Sequence, residues 1–111
     1  MILIVDDHED TCDLVRRVLA RDGLAAECLT DSRQAIAAMR AMRPGVVILD
    51  QTMPGLTGTE ILAAIPVVMY SAVFEHGVAQ VALGLGASEW LVKGVHGPRH
   101  LVAAVKRAMV V

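Results

Sequence analysis

The sequence predicts a single α/β domain, with a five-stranded parallel sheet between two layers of helices. Three observations support this fold class. Short aliphatic runs alternate along the chain with segments whose apolar residues recur at helical spacing. Runs such as ILIV at 2–5 and VVIL at 46–49 are apolar throughout, which is typical of strands buried on both faces. Five strand–helix units in 111 residues suit the strand order 2-1-3-4-5, wound by right-handed crossovers.

The first strand is predicted at residues 2–5 because this run is rich in β-branched residues. The first helix is predicted from an N-cap at Asp10 to Gly23. Its apolar face consists of four aliphatic residues: Leu14, Val15, Val18 and Leu19. Residues 24–29 form a weaker second strand.

The second helix opens with a capping-box pattern from Asp31 to Gln34, and Pro44 prevents its continuation. The residues expected to be buried on it are apolar: Ala35, Ile36, Met39 and Met42. The third strand follows at 46–49.

The third helix is predicted to be short, because it is capped by Thr57 and Glu60 and Pro66 soon ends it. The fourth strand follows at 67–70, and a fourth helix is predicted at 76–84.

The fifth strand is predicted at 89–92, and the last helix begins at Pro98, a residue suited to the first helical position. The apolar face of this helix is formed by Leu101, Val102, Val105 and Met109.

The composition limits the classes of partner and compartment. A net charge of −2 gives no attraction to nucleic acid or to anionic membranes. The longest nearly apolar stretch, 65–74, is too short to span a bilayer, which needs roughly 20 residues. Cys12 and Cys28 lack metal-ligand spacing and are expected to be reduced structural thiols. We therefore expect a cytoplasmic domain that does not bind membranes.

Polar residues follow four of the five strands. They are Asp6 and Asp7 after strand 1, Asp50 after strand 3, Ser71 after strand 4 and Lys93 after strand 5. Because parallel strands all end at one edge, and strands 1, 3, 4 and 5 are spatial neighbours, these side chains are expected to converge. Each alone has an ordinary structural explanation, but their joint occurrence favours a functional site.

The chemistry of this set follows from its charge. Three neighbouring carboxylates repel one another unless a cation lies between them, and all-oxygen ligands favour Mg²⁺. An ion held by Asp7 and Asp50 would still have open positions for a phosphoryl group. Lys93 and Ser71 would then hold the oxygens of a phosphoryl group. Asp50 is the best candidate nucleophile, because it ends the most buried strand.

These motifs resemble the receiver domain of two-component response regulators, a family with a flavodoxin-like fold. The resemblance covers nearly the whole chain and rests on four stretches: ILIVDD, VVILDQTMPGLTG, VVMYSA and GASEWLVK. It implies that Asp50 accepts a phosphoryl group from a histidine kinase or phosphotransfer protein. It also implies that Mg²⁺ is bound by Asp7, by Asp6 through water, and by the backbone carbonyl of Thr52.

The same resemblance implies a switch in which the Ser71 hydroxyl turns toward the phosphoryl group, Lys93 pairs with it, and Trp90 changes rotamer. The modified face would comprise the fourth helix, the fifth strand and the last helix, and it could support a homodimer. Such a domain catalyses only its own phosphorylation and dephosphorylation. Neither DNA binding nor a named kinase is implied, and we expect either a stand-alone receiver or a piece of a longer protein.

Three departures from the family pattern are visible. Gly94 stands where a cis-proline is usual; a non-proline cis bond costs about 3 kcal/mol, so a trans Lys93–Gly94 bond and a loosened loop are expected. Trp90 replaces the usual Tyr or Phe, which would weaken rotamer coupling. The segment from Glu60 to Pro66 is shorter than usual.

Other functions fit less well. A haloacid-dehalogenase-type phosphohydrolase needs a second acid two residues after its nucleophile, where this chain has Thr52. A flavodoxin-type cofactor site needs a neutral loop after strand 1, where this chain has DDHEDT. The remaining alternative is a degenerate receiver that acts as an interaction module without phosphorylation. No role is assigned to any of the four histidines, His8, His76, His96 and His100.

Overall fold

The computed structural model describes residues 1–50, 66–71 and 87–109, without the side chains of Ser32, Ile36 and Ala87. Five parallel strands form one sheet in the order β2-β1-β3-β4-β5, which confirms the predicted topology. The strands are β1 (Ile2–Val5), β2 (Ala26–Leu29), β3 (Val46–Leu49), β4 (Val67–Ser71) and β5 (Ala87–Val92).

The helices in this part of the chain are α1 (Glu9–Arg21), α2 (Ala35–Met42), which follows a 3₁₀ turn at Ser32–Gln34, and α3 (Pro98–Met109). The α3 helix is the last of the five helices predicted from the sequence. The predicted third and fourth helices, together with Thr52, lie outside the described residues. None of the described helices is both long and apolar enough to cross a membrane.

The register of the central strands sets the position of the functional edge. β1 and β3 are buried along their whole length, and Val5 pairs with Leu49. The residues after them therefore stand side by side, and the backbone N–H of Asp50 donates to the carbonyl of Val5 at 3.1 Å. Two adjacent buried strands thus deliver two acidic residues to the same place.

Apolar side chains pack on both faces of the sheet, as the continuous apolar runs predict. One cluster joins the sheet to α1 and α3, with Val15, Leu19 and Val105 fully buried. A second cluster joins the other face to α2 through Ala35 and Met39. Each buried aliphatic side chain of this size contributes about 1.5–3 kcal/mol through removal from water, so this packing holds the strand ends in place.

The α1 helix differs in two ways from the prediction. It begins at Glu9, with His8 in the N-cap position, so Asp10 lies in the first turn instead of capping it. Acidic residues in a first turn are stabilised by the helix dipole without acting as the cap. Leu14 is 55% exposed and is not part of the buried face, because it lies about 100° around the helix from Val15.

The start of α2 is also shifted from the prediction. The Asp31 carboxylate accepts a hydrogen bond from the backbone N–H of Arg33 at 3.0 Å, and the 3₁₀ turn precedes the helix proper at Ala35. Arg33 also donates to Asp31 through its side chain. Asp31 therefore caps the 3₁₀ turn, whereas the N-cap of α2 is Gln34, which makes no side-chain capping bond, so the predicted capping box at the start of α2 is wrong.

The C-terminal elements agree in position but not in every buried residue. β4 extends through Ser71 and β5 starts at Ala87, with a register shift between Val67 and Val68. The buried face of α3 consists of Leu101, Ala104, Val105 and Ala108. Met109 is 40% exposed, contrary to the prediction, because it lies about 100° around the helix from the buried Ala108, and Val102 is only partly buried.

The structure pairs Cys12 and Cys28 as a disulfide, so the prediction of two reduced thiols is wrong. Cys12 lies in α1 and Cys28 in β2, and their Cα atoms are 5.9 Å apart. The sequence separation of 16 residues concealed this proximity, which arises when α1 packs against the edge of the sheet.

Candidate functional site

Three aspartates meet at the carboxyl edge of the sheet. Asp6 and Asp50 follow β1 and β3 and are only 2% and 3% exposed, whereas Asp7 is exposed. One ligand atom from each of these residues, and one from His8, lie within 4.8 Å of one another. The convergence expected from the strand ends is therefore present for all three acids.

Lys93 reaches this cluster from the end of β5. Its ammonium nitrogen lies 2.7 Å from Oδ2 of Asp6 and 3.4 Å from Oδ2 of Asp50. Burial lowers the pKa of Lys93, but its hydrogen bond to Asp6 and the charges of Asp6 and Asp50 outweigh burial and hold the pKa above its ordinary value. Lys93 is therefore a firmly protonated cation between two buried carboxylates.

The end of β4 supports the position of Lys93. The backbone N–H of Lys93 donates to the carbonyl of Ser71 at 2.8 Å, and Ser71 is fully buried. On the preceding residue, the Tyr70 ring centroid lies 5.7 Å from the Lys93 ammonium. Burial raises the pKa of Tyr70, Lys93 opposes this rise, and Asp6 adds to it. Ser71 thus stands beside Lys93 at the same edge of the sheet.

His8 is a member of the cluster that the sequence reasoning did not include. Its Nδ1 lies 3.0 Å from Asp7 Oδ1 and 3.1 Å from Asp6 Oδ1, and its backbone N–H donates to Asp6 at 2.9 Å. Oδ2 of Asp50 is 3.9 Å from the same ring nitrogen. The sequence feature that could have indicated this contact is the position of His8 directly after Asp6 and Asp7. The turn into α1 folds the His8 side chain back over the carboxylates.

The loop after β5 has the expected trans geometry, because no cis peptide bond occurs among the described residues. Gly94 adopts a φ of 81°, a left-handed conformation that proline cannot take. The loop that was expected to be loosened is closed at its base: the N–H groups of Val95 and His96 donate to the carbonyl of Val92. The Val92 N–H donates in return to Nδ1 of His96 at 2.9 Å.

Trp90 lies on β5 opposite Met69 and packs against the cluster on the α2 face of the sheet. Its side chain is half-buried, and its indole N–H has no hydrogen-bond partner among the described residues. Trp90 lies on β5, three positions before Lys93, which follows the end of that strand, but its ring belongs to the apolar layer and not to the acid cluster.

A pocket of about 270 Å³ is lined by residues of α1, β4, α3 and the β5–α3 loop. Leu14, Tyr70 and Val95 contribute to its lining. Two of these side chains are largely exposed, Leu14 at 55% and Val95 at 74%. The pocket therefore has a partly exposed apolar rim.

The donor set suits a divalent cation. Three carboxylates and one lysine leave two negative charges uncompensated, apart from any charge on His8. Carboxylate oxygens are the ligands preferred by Mg²⁺, and a four-atom group spanning 4.8 Å matches the first coordination sphere of one ion. Imidazole would add a ligand that transition metals also accept.

The domain has a parallel sheet, and a buried acid pair and a lysine lie at the carboxyl edge of that sheet. It therefore belongs to the class of doubly wound α/β proteins that bind ligands at the strand ends. The chain belongs to the response regulator receiver domain family, whose sequence profile matches residues 2–106. It is therefore a signal-transduction domain of the two-component type.

The curated relatives are longer than this chain. The DNA-binding response regulator MtrA of Mycolicibacterium paratuberculosis is 33% identical over 113 aligned positions, which cover 95% of this chain and 49% of MtrA. The sensory transduction protein RegX3 of Mycobacterium bovis is 29% identical, covering 97% of this chain and 50% of RegX3. The chain thus spans about half the length of the curated relatives it matches.

Solved receiver domains have the same fold. The signal receiver domain of the putative response regulator NarL from Mycobacterium tuberculosis superimposes with a TM-score of 0.84 at 29% identity, covering 97% of this chain and 94% of that one. The chemotaxis protein CheY4 of Vibrio cholerae gives a TM-score of 0.81 at 29% identity, with 96% of each chain covered.

Proposed function

We propose that residues 1–111 form one receiver domain that accepts a phosphoryl group on Asp50 in a Mg²⁺-dependent reaction. The donor would be a histidine kinase or a phosphotransfer protein, and the domain would act in the cytoplasm. The observation that carries the proposal is the contact of buried Asp50 with Lys93, inside a cluster that also holds Asp6 and Asp7.

The ligands of Mg²⁺ would be Asp7 and Asp50 directly, Asp6 through water, and the backbone carbonyl of Thr52. Two uncompensated negative charges support this assignment, since buried like charges are unfavourable without a cation. When bound, the ion would neutralise the acids and the charge of the incoming phosphoryl group. Asp50 would otherwise repel a phosphorylated donor.

In the transfer step, a carboxylate oxygen of Asp50 would attack phosphorus while the bond from phosphorus to the donor's imidazole nitrogen breaks. The electron pair of that bond would stay on the imidazole, and Asp50 would become an acyl phosphate. Lys93 lies 3.4 Å from Oδ2 of Asp50, so its ammonium would need only a short movement to reach a new phosphoryl oxygen. Hydrolysis would restore the carboxylate, so the domain would act only on itself.

The response to phosphorylation would begin at Ser71 and Lys93. Movement of Lys93 toward the phosphoryl group would release Asp6, and the Ser71 hydroxyl would accompany it. Trp90, on the strand that leads to Lys93, would transmit the change to a face built from the fourth predicted helix, β5 and α3. That face is the proposed surface for an output partner or a homodimer.

The exposed apolar residues beside the pocket suggest where a phosphodonor protein would dock. Leu14 and Val95 are exposed and line the pocket, and a donor protein seated there would remove their apolar surface from water. Direct binding to nucleic acid or to a membrane is not part of the proposal.

A phosphorylation-independent receiver is the second candidate. The observation that favours it is the pairing of the acids with basic side chains of the protein itself: Lys93 lies 2.7 Å from Asp6, and the His8 ring contacts Asp6 and Asp7. The two candidates differ in whether Mg²⁺ and an acyl phosphate are used.

The test uses Trp90, the only tryptophan of the chain, as a fluorescent reporter. Millimolar Mg²⁺ followed by a small acyl-phosphate donor is expected to change its emission, and intact mass should show the gain of one phosphoryl group. Asp50→Asn should remove the donor-dependent change and the mass gain. The matched control is Asp22→Asn, because Asp22 is an acid paired with Lys106 at the far end of α1.

The outcome separates the two candidates. If Asp22→Asn gains the phosphoryl group as the wild type does and Asp50→Asn does not, the phosphoacceptor function is supported. No phosphoprotein and no calorimetric Mg²⁺ binding in the wild type would instead support the phosphorylation-independent receiver.

A further inference from the structure

We propose that Cys12 and Cys28 form a reversible intramolecular disulfide, made by a hydroperoxide and removed by a dithiol, which fastens α1 to the edge of the sheet. This inference does not depend on phosphorylation of Asp50. It assigns a modification site to two residues outside the acid cluster.

The backbone geometry permits the bond. The Cα atoms of Cys12 and Cys28 are 5.9 Å apart, within the range of about 4.4–6.8 Å that disulfides span. Both positions are fixed by regular structure, since Cys12 lies in α1 and Cys28 pairs with Ile4 of the central strand β1. The two sulfurs can therefore meet without displacement of the backbone.

The environment gives the two cysteines different reactivity. Cys12 is 2% exposed and packs within the core cluster. Cys28 is only partly buried and lies on β2, an edge strand of the sheet. A small oxidant would therefore reach Cys28 first, and Cys12 would be the resolving thiol.

The chemistry balances with a hydroperoxide as oxidant. The Cys28 thiolate attacks the terminal peroxide oxygen, the O–O bond breaks, and a sulfenic acid and an alcohol (water, if the oxidant is hydrogen peroxide) are formed. The Cys12 thiolate then attacks the Cys28 sulfur, the S–O bond breaks, and hydroxide leaves as water after protonation. A dithiol reverses the bond through a mixed disulfide and is itself oxidised.

The crosslink lies close to the functional edge of the sheet. Sγ of Cys12 is 3.6 Å from the backbone carbonyl oxygen of Asp6. As a thiol, Cys12 can donate to this oxygen, whereas in the disulfide it has no hydrogen to donate. Oxidation thus replaces a weak hydrogen bond by a covalent link from the first turns of α1 to β2.

Reversibility rests on the cytoplasmic location that is part of the proposed function, because disulfides in a reducing compartment are usually transient or redox-sensing. Residues 1–111 contain two cysteines, both in this pair, so neither thiol has another partner within this domain. The pair therefore has two defined states, dithiol and disulfide.

The experiment compares the two states of the full chain. Protein reduced with dithiothreitol, desalted and then denatured in urea should react with two equivalents of a maleimide, and protein treated with hydrogen peroxide before denaturation should react with none while remaining a monomer. Dithiothreitol should restore both thiols. The oxidised form should unfold at a temperature higher by roughly 10 °C, because the crosslink restricts the unfolded chain.

Cys28→Ser and Cys12→Ser serve as controls, and the partly exposed Cys28 is the substitution that the fold tolerates more readily. In either variant the unfolding temperature should not rise on treatment with peroxide. Two maleimide-reactive thiols in peroxide-treated wild type, crosslinking only between molecules, or identical unfolding temperatures of the two wild-type states would each overturn the proposal.

Discussion

The Lys93 ammonium lies nearer to Asp6 than to Asp50, at 2.7 Å compared with 3.4 Å from the respective Oδ2 atoms. Eighty-seven residues separate Lys93 from Asp6, so this contact exists only in the folded chain. Both carboxylates are almost fully buried, and a buried charge without a partner is strongly unfavourable. Lys93 therefore supports the fold as well as the proposed chemistry.

Replacing Lys93 by methionine should lower the free energy of unfolding by about 1–3 kcal/mol in the absence of metal, because Asp6 and Asp50 lose their cation. Urea unfolding in the presence of EDTA measures this change. Lys106→Met is the matched control: Lys106 forms an exposed ion pair with Asp22, which should contribute less than about 1 kcal/mol. An equal decrease in the free energy of unfolding in the two variants would show that the buried ion pair contributes no more to stability than the exposed one.

Alkaline pH should destabilise the metal-free protein. The pKa values of Lys93 and Tyr70 are both raised in the folded state, so the folded chain holds these protons more tightly than the unfolded chain does. The resulting stability is complete at neutral pH and is lost as pH rises above about 10. Urea unfolding at pH values on both sides of this limit would show the decline.

Two variants separate the contributions to this pH dependence. Tyr70→Phe should retain the part due to Lys93, and Lys93→Met should retain the part due to Tyr70. An unchanged slope in both variants would place the dependence on other groups.

Magnesium should stabilise the wild type more than Asp50→Asn, because the substitution removes one ligand and one of the charges that the ion balances. At a concentration 100 times the Kd, the expected stabilisation is about 2.7 kcal/mol for the wild type. Thermal unfolding with Mg²⁺ or with EDTA measures it. Glu27→Gln alters an exposed acid outside the cluster and should behave as wild type; a reduced Mg²⁺ effect in this control would indicate nonspecific screening.

His8→Ala should weaken Ni²⁺ binding more than Mg²⁺ binding. Nδ1 of His8 lies among the carboxylate oxygens of the cluster, and imidazole is a favourable ligand for Ni²⁺, whereas Mg²⁺ prefers oxygen. Isothermal titration calorimetry with each ion gives the ratio of affinities. His100→Ala removes an exposed imidazole outside the cluster. If His100→Ala changed the ratio of Ni²⁺ to Mg²⁺ affinity as much as His8→Ala does, His8 would not be a metal ligand.

Much of the fold could be predicted because its signals are local. The apolar runs of β1 and β3 identify buried parallel strands, and the strand order then brings the residues that follow them to one edge. The positions of Asp6, Asp50 and Lys93 follow from that order alone. Side chains at strand ends are constrained by the sheet, which is why sequence reasoning could bring them together.

Contacts that depend on how a helix rotates or a turn folds could not be predicted in the same way. His8 lies over the acids because α1 begins earlier than its capping signals suggest. Cys12 and Cys28 meet because α1 packs near the edge strand. Both contacts depend on how α1 is placed on the sheet. The sequence pattern of α1 predicts the helix but not this placement.

The two leucines of α1 provide a direct test of that placement. Leu19 is fully buried, whereas Leu14 is 55% exposed, although the sequence pattern assigns both to the core. Leu19→Ala should cost about 2–5 kcal/mol, because it removes buried methyl groups and leaves a cavity. Leu14→Ala should change the free energy of unfolding by no more than about 0.5 kcal/mol. Urea unfolding of the oxidised protein measures both, since the disulfide then holds α1 in the same state in each variant, and comparable losses would mean that α1 is rotated from the position described.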